Sequence, residues 1–183
     1  MDTRTVDTRT MGICAEELRL LVVRPMLTQL GDWSEAAENL LLGTAAQESR
    51  LGRHLKFGRC ERLGIYQITP TAHTAIWDSY LIDNPALASQ VRGFASQHAF
   101  LADPNAELTT NLNYATAIAW MIYRRSLGGL PATNDLAALA HLWQQYYRTD
   151  TKGPAPCPAA ADVGNFIQTY RALILSNCDH QAA

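Results

Sequence analysis

Apolar residues recur at three- and four-residue intervals along most of this chain, whereas alternating runs of β-branched residues are nearly absent. This spacing places apolar side chains on one face of an α-helix and does not suit a half-buried strand. Hydrophobic residues make up 48% of the 183 positions and charged residues 17%, which is enough apolar material for one packed core. We therefore expect a single, mainly α-helical domain.

Cap residues and prolines indicate where several helices begin. Either Asp32 or Ser34 is expected to cap a helix over residues 34–50. Thr69 and Asn84 each precede a proline, and each is expected to cap the helix that follows it. Both prolines then occupy the first helical position, where a missing N–H group costs nothing.

The chain shows no internal linker that would divide it into two domains. Residues 1–12 are polar and contain a five-residue echo, so we expect a flexible leader without the apolar core of a secretory signal. Residues 13–178 are expected to form the domain, and residues 179–183 a frayed tail. On this interpretation the protein is made in the cytoplasm without a signal peptide, and another agent delivers it to any site outside.

The charge balance argues against two classes of partner. The formal net charge is −2 and the sequence pI is about 6.2, which gives no basic footprint for nucleic acid. The longest apolar stretch is interrupted by Arg24 and Pro25, so no segment reaches the roughly 20 residues of a membrane-spanning helix. We expect neither a nucleic-acid partner nor a membrane span.

Four cysteines occur in the chain, without a C-x-x-C pair and without the spacing of a zinc site. His54, Cys60 and His73 are too loosely spaced and too mixed to suggest a metal centre. We therefore expect no metal and no cofactor. The sequence leaves open a disulfide between Cys157 and Cys178.

A glutamate lies where the helical pattern calls for a core residue. Ala37, Leu41, Thr44 and Glu48 share one helical face, and Glu48 comes last. A buried ionised carboxylate is costly unless it is paired or protonated. Glu48 is therefore either a general acid with a raised pKa or a structural carboxylate in an ion pair. The candidate ion-pair partners are Arg50, Arg53 and Arg124.

Two sequence blocks resemble the signature of the soluble lytic transglycosylase and goose-type lysozyme superfamily. The first is AAQES over residues 45–49, which contains Glu48 and Ser49. The second is GIYQITPTAH over residues 64–73, which matches the family's Gly-Leu-Met-Gln-Ile followed by a proline. A third family element, a late aromatic at a helix end, is similar to the pair Tyr146 and Tyr147.

The resemblance implies a lysozyme-like helical domain, with at most a minimal β-hairpin over residues 54–66 near the cleft. It implies cleavage of the β-1,4 bond between N-acetylmuramic acid and N-acetylglucosamine in peptidoglycan. Glu48 would protonate the glycosidic oxygen and then take a proton from the sugar's own 6-hydroxyl, which leaves an anhydro-muramyl end. This route needs one carboxylate, and its partner is the peptidoglycan glycan strand.

The resemblance also implies supporting roles around the catalytic carboxyl. Ser49 would orient that carboxyl or bind the sugar. Gln67 would project into the cleft and bond an acetamido group, and the backbone around Tyr66 would contact the sugar. A tyrosine hydroxyl, from Tyr147 in preference to Tyr146, would hold the carboxyl.

Two alternatives stay open. A hydrolytic muramidase would use a second carboxylate to position water, and Glu61 is its first candidate, with Asp78 as a surface position that suits the role less well. A protein of another class, a non-catalytic structural or assembly module of a phage virion, would keep the scaffold alone. For the enzyme we expect a phage particle or a secretion machine as the delivering partner.

Overall fold

The computed structural model of the protein describes residues 12–56, 61–131, 135–148 and 162–175. The tail over residues 179–183, nearly all of the predicted leader, and Cys60, Cys157 and Cys178 lie outside these described residues. Within the described ranges the chain forms nine helices and no strand, which confirms the prediction of a mainly α-helical fold.

Four of the nine helices contain a π-helical turn. In chain order the helices are α1 over 15–30 (Ala15–Leu18, the π-helical Arg19–Val23, and Arg24–Leu30), α2 (Glu35–Ser49), α3 over 70–81 (Pro70–Ile76 and the π-helical Trp77–Leu81), α4 (Pro85–Gly93), α5 (Gln97–Ala102), α6 (Glu107–Thr110), α7 (Leu112–Arg124), α8 over 136–147 (Leu136–Leu142 and the π-helical Trp143–Tyr147) and α9 over 163–175 (Val163–Tyr170 and the π-helical Arg171–Leu175).

Helix α2 lies at the centre of the core and contacts α1, α7, α8 and α9. Every residue from 36 to 46 is buried, so the helix has no solvent face over this length. The one-sided stripe seen in the sequence therefore understates its burial. Thr44 shows how a polar side chain is tolerated there: its hydroxyl donates to the Leu40 carbonyl at 2.7 Å and lies 2.7 Å from the Tyr123 hydroxyl.

The start of α2 resolves one open alternative. Ser34 is the cap, because its hydroxyl accepts the Ala37 N–H at 3.1 Å. Asp32 serves a tertiary contact: its carboxylate accepts the indole N–H of Trp120 at 2.8 Å and pairs with Arg124 at 3.1 Å.

In its described part, 54–56 and 61–66, the predicted hairpin is reduced to isolated antiparallel bridges. Lys56 bridges to Leu63, and Leu63 bridges to Ile68, with no strand in the described part of this segment. The second bridge consists of two hydrogen bonds of 3.0 Å between Leu63 and Ile68. This tight turn, which we call the motif turn, holds residues 64–67 at the start of the second motif block against the end of α2.

Of the two proline-adjacent caps, only Thr69 is confirmed. Its hydroxyl accepts the Ala72 N–H at 3.1 Å, and the residue is buried. Asn84 does occupy the N-cap position before α4, which begins at Pro85, but its side chain makes no capping bond, because its amide donates backwards to the Tyr80 carbonyl at 2.8 Å.

This difference gives a testable result. Thr69→Ala is expected to lower the free energy of unfolding by about 1 kcal/mol, because the buried Ala72 N–H loses its acceptor. Asn84→Ala, at the matched position before α4, is expected to cost less than about 0.5 kcal/mol. Urea unfolding followed by circular dichroism measures both changes. Equal losses would contradict this assignment of the caps.

Candidate active site

Ser49 joins the two motif blocks. It is buried at the last position of α2, and its hydroxyl donates to the Ile65 carbonyl at 2.6 Å. The same oxygen accepts the Gly52 N–H at 2.8 Å, so it also closes the turn after the helix. Ser49 therefore fixes the position of its neighbour Glu48 relative to the motif turn, which fits the expected orienting role. Its hydroxyl is already hydrogen-bonded within the protein, which does not fit sugar binding.

Gln67 does not project as the family pattern implies. It is buried and its backbone is left-handed, with φ at +51°. Its amide nitrogen donates to the Gly64 carbonyl at 2.7 Å and to the His54 carbonyl at 3.1 Å. Both donor hydrogens are thus spent on the backbone, where they brace the turn, and the contact with an acetamido group stays a prediction.

Tyr66 and Tyr147 form a second brace. The Tyr147 hydroxyl donates to the Tyr66 carbonyl at 2.7 Å, and both rings are fully buried. The Tyr147 ring stacks on Tyr123 with centroids 5.3 Å apart. A phenol has one proton to give, so Tyr147 holds the motif backbone. This differs from the expectation that its hydroxyl holds the Glu48 carboxyl. The same bond uses one of the two lone pairs of the Tyr66 carbonyl, and the expected contact of this backbone with a sugar stays a prediction.

Glu48 lies beside this braced turn with 7% of its side chain exposed. Oε1 accepts the indole N–H of Trp143 at 3.0 Å, and Oε2 pairs with Arg62 at 3.3 Å. Burial raises the pKa of Glu48 above its ordinary value of 4.5, and this outweighs the opposing effects of Arg62, Trp143 and Arg148. A carboxyl of this kind keeps its proton to a higher pH than an exposed one.

A second glutamate on the same helix has its pKa shifted in the opposite direction. Glu38 is 1% exposed, and three donor side chains hold both of its oxygens. Arg24 binds it at 2.9 and 3.0 Å, Trp33 donates at 2.9 Å, and Arg19 completes the set. Despite its burial, these donors hold the pKa of Glu38 below the ordinary value. Helix α2 therefore carries one carboxylate that is fully paired and one that is only partly compensated.

The other predicted site residues lie less centrally. Tyr146 is half-buried and packs against the hydrophobic core. Glu61 and Asp78, the candidate second carboxylates, are both exposed. The predicted ion-pair partners of Glu48 are also corrected: the described ion pair is with Arg62, whereas Arg124 pairs with Asp32.

Arg62 and Trp143 are the contacts that the sequence reasoning missed. Arg62 follows Glu61 in an irregular segment, where no periodic pattern links it to Glu48. Trp143 is not part of either motif block. One signal could have found it, since it lies four residues before Tyr147 in a predicted helix, on the face that carries the predicted site tyrosine.

Removal of the Ser49 hydroxyl tests the junction between the blocks. Ser49→Ala is expected to lower the free energy of unfolding by about 1–3 kcal/mol, because the Ile65 carbonyl and the Gly52 N–H both lose a partner. Ser79→Ala removes an exposed helical serine and should change it by less than about 0.5 kcal/mol. Thermal and urea unfolding measure both variants, and a neutral Ser49→Ala would rule out this junction.

Comparison of the chain with protein-family models, curated proteins and solved structures found no match. Among the described residues, no three His, Cys, Asp or Glu side chains are grouped where they could hold a metal ion. None of the described helices combines the length and the apolar character needed to cross a membrane.

Proposed function

We propose that the protein cleaves the glycan strands of peptidoglycan by the lytic transglycosylase route, with Glu48 as general acid and then base. The observation that carries the proposal is the partly compensated, buried Glu48 carboxyl, whose pKa is raised by burial at the end of α2. An acid catalyst needs its proton near the working pH, and an apolar setting supplies that condition.

In the proposed reaction the Glu48 proton passes to the glycosidic oxygen as the bond from that oxygen to C1 of the muramic acid residue breaks. The carboxylate then accepts the proton of the 6-hydroxyl, whose oxygen bonds to C1. The carboxyl is protonated again at the end, and the product carries a 1,6-anhydro ring. No water enters and no second carboxylate is needed, in contrast to hydrolysis.

The surroundings of Glu48 support this role by their rigidity. Ser49 and Tyr147 tie the motif turn to α2 and α8 through bonds of 2.6 and 2.7 Å. A carboxyl next to such a braced turn keeps its geometry without reorganisation during the reaction. The family's second motif block thus has a use here as a scaffold, although Gln67 and the Tyr66 carbonyl are already bonded within the protein.

A second candidate function rests on the ion pair between Arg62 and Glu48. A carboxylate held by an arginine can serve stability alone, as Glu38 does. On that alternative the chain is a non-catalytic structural or assembly module on the same scaffold. The phage-particle setting of either function rests on the sequence alone and stays a prediction.

Analysis of the products distinguishes these functions. Purified peptidoglycan is incubated with the full chain over pH 4–8, and the soluble fragments are examined by mass spectrometry. Anhydro-muramyl ends are expected, at 18 mass units (about one water) below the reducing ends that a hydrolase releases. Reducing ends would replace the transglycosylase proposal with the muramidase, and an absence of fragments from every peptidoglycan tested would favour the structural module.

A further inference from the structure

The two oxygens of the Glu48 carboxyl are held by donors of different kinds, and this asymmetry leads to an inference that rests on the proposed function. Oε1 accepts from the indole of Trp143 at 3.0 Å. Oε2 faces the guanidinium of Arg62 at 3.3 Å. One donor is a neutral aromatic side chain in the core, and the other is a charged arginine side chain from an irregular segment.

Trp143 is a fixed contact. Its side chain is fully buried, and its ring packs on Phe166 with centroids 5.3 Å apart. Because this N–H cannot turn away, Oε1 stays an acceptor in both ionisation states. A transferable proton on Glu48 therefore belongs on Oε2.

Arg62 makes a longer and weaker hydrogen bond than Trp143 does, and it makes this bond to Oε2, the oxygen that would carry the transferable proton. Its described hydrogen bond goes to Oε2 alone, and 3.3 Å is long for a charge-assisted bond. Glu38 illustrates a permanent pair by contrast, since Arg24 grips both of its oxygens at 2.9 and 3.0 Å. While Arg62 occupies Oε2, a glycosidic oxygen cannot approach it, and the positive charge favours the ionised carboxylate.

We propose that Arg62 is a latch on Glu48: in the ligand-free protein it covers Oε2, and it must leave that oxygen before the carboxyl can deliver a proton, while Trp143 keeps Oε1 in place. The latch makes the acid inert until a glycan strand displaces the arginine. Arg62 is on this view a positioning residue that regulates the carboxyl.

The charged and titratable groups around Glu48 make this testable. The described ones are Arg62, Tyr66, Tyr123, Tyr147 and Arg148. Arg148 lies 5.8 Å from the Trp143 ring centroid. Burial raises the pKa of each of these tyrosines, so the three phenols do not titrate between about pH 4 and pH 9. Glu48 accepts directly from the Trp143 indole, so among the described groups we expect its titration to be the one that Trp143 senses in that range.

The first experiment follows the tryptophan fluorescence of the full chain against pH without any glycan. The transition that Glu48→Gln removes is assigned to the carboxyl. In Arg62→Gln its midpoint is expected to move to higher pH, because a neighbouring positive charge is lost. Arg62→Lys keeps the charge and should stay nearer the parent midpoint. Arg53→Gln removes an exposed arginine from the neighbouring turn and should not move it. An unshifted midpoint in a folded Arg62→Gln protein overturns the latch.

The second experiment measures the pH profile of glycan release. Arg62→Gln is expected to release fragments several-fold faster at pH 7, and its alkaline limb should move to higher pH together with the fluorescence midpoint. A slower variant with an unmoved limb would overturn the latch, since Arg62 would then be structural. If the parent protein releases nothing, the proposed function fails, and the fluorescence experiment still decides whether Arg62 controls the ionisation of the carboxyl.

Discussion

Glu48→Gln is expected to lower the rate of glycan release by at least about a hundredfold, because glutamine keeps the shape of the side chain but has no proton to donate. The Trp143 N–H still finds an acceptor in the amide oxygen, so the fold should persist. Fragment release from purified peptidoglycan, divided by the folded fraction from circular dichroism, gives the measured rate.

The same substitution is expected to stabilise the protein at neutral pH. The raised pKa means that the folded state holds the Glu48 proton more tightly than the unfolded state. The stabilising contribution of this carboxyl is complete below its ordinary value of 4.5 and is lost as pH rises through the folded pKa. A neutral amide avoids that loss, so the melting temperature of Glu48→Gln should exceed that of the parent at pH 7 and match it near pH 4.

Glu38→Gln is the matched control, since it changes a buried glutamate on the same helix. Because the pKa of Glu38 is lowered, the pH dependence of its contribution to stability has the opposite sign. This carboxylate stabilises the folded state at pH values above its ordinary pKa, and the contribution disappears as pH falls through the folded pKa. Glu38→Gln should therefore melt at a lower temperature than the parent at pH 7, with an unchanged rate per folded molecule. Glycan release that survives Glu48→Gln would refute Glu48 as the acid.

Gly64→Ala is expected to cause the largest loss of stability, about 3 kcal/mol or more. Gly64 opens the motif turn with φ at +73°, a conformation that side chains disfavour. A Cβ atom there would lie 1.7 Å from the Leu108 carbonyl oxygen, which belongs to the backbone of α6 and cannot rotate away. Either α6 or the turn has to shift, and a shifted turn also breaks the bonds to Ser49 and Gln67.

Gly31→Ala separates the two causes of that loss. Gly31 has nearly the same φ, +75°, but an added Cβ would meet nothing within 4 Å. It should cost about 1 kcal/mol, the penalty of the left-handed backbone alone. Urea unfolding of the two variants measures the difference. If the losses were equal, the close approach of α6 to the motif turn would be disproved.

The helical architecture could be predicted because its signals are local. The cap at Thr69, the start of α3 at Pro70 and that of α4 at Pro85 depend on residues within one turn of each other. Where a cap residue has a competing partner, local reasoning fails: Asp32 and Asn84 both spend their side chains on groups outside the helix start. The burial of α2 on all sides over residues 36–46 was also beyond prediction, since it depends on the four helices packed around it.

The chain alone determined that a glutamate would end an apolar helical face, because Glu48 follows Leu41 and Thr44 at helical spacing. Only the tertiary structure decided whether that glutamate is compensated. Trp143 lies 95 positions from Glu48 and Arg62 lies 14 away, and no local pattern brings either of them to the carboxyl. Burial and the number of donors set the opposite pKa directions of Glu38 and Glu48, and both quantities exist only once the helices have packed.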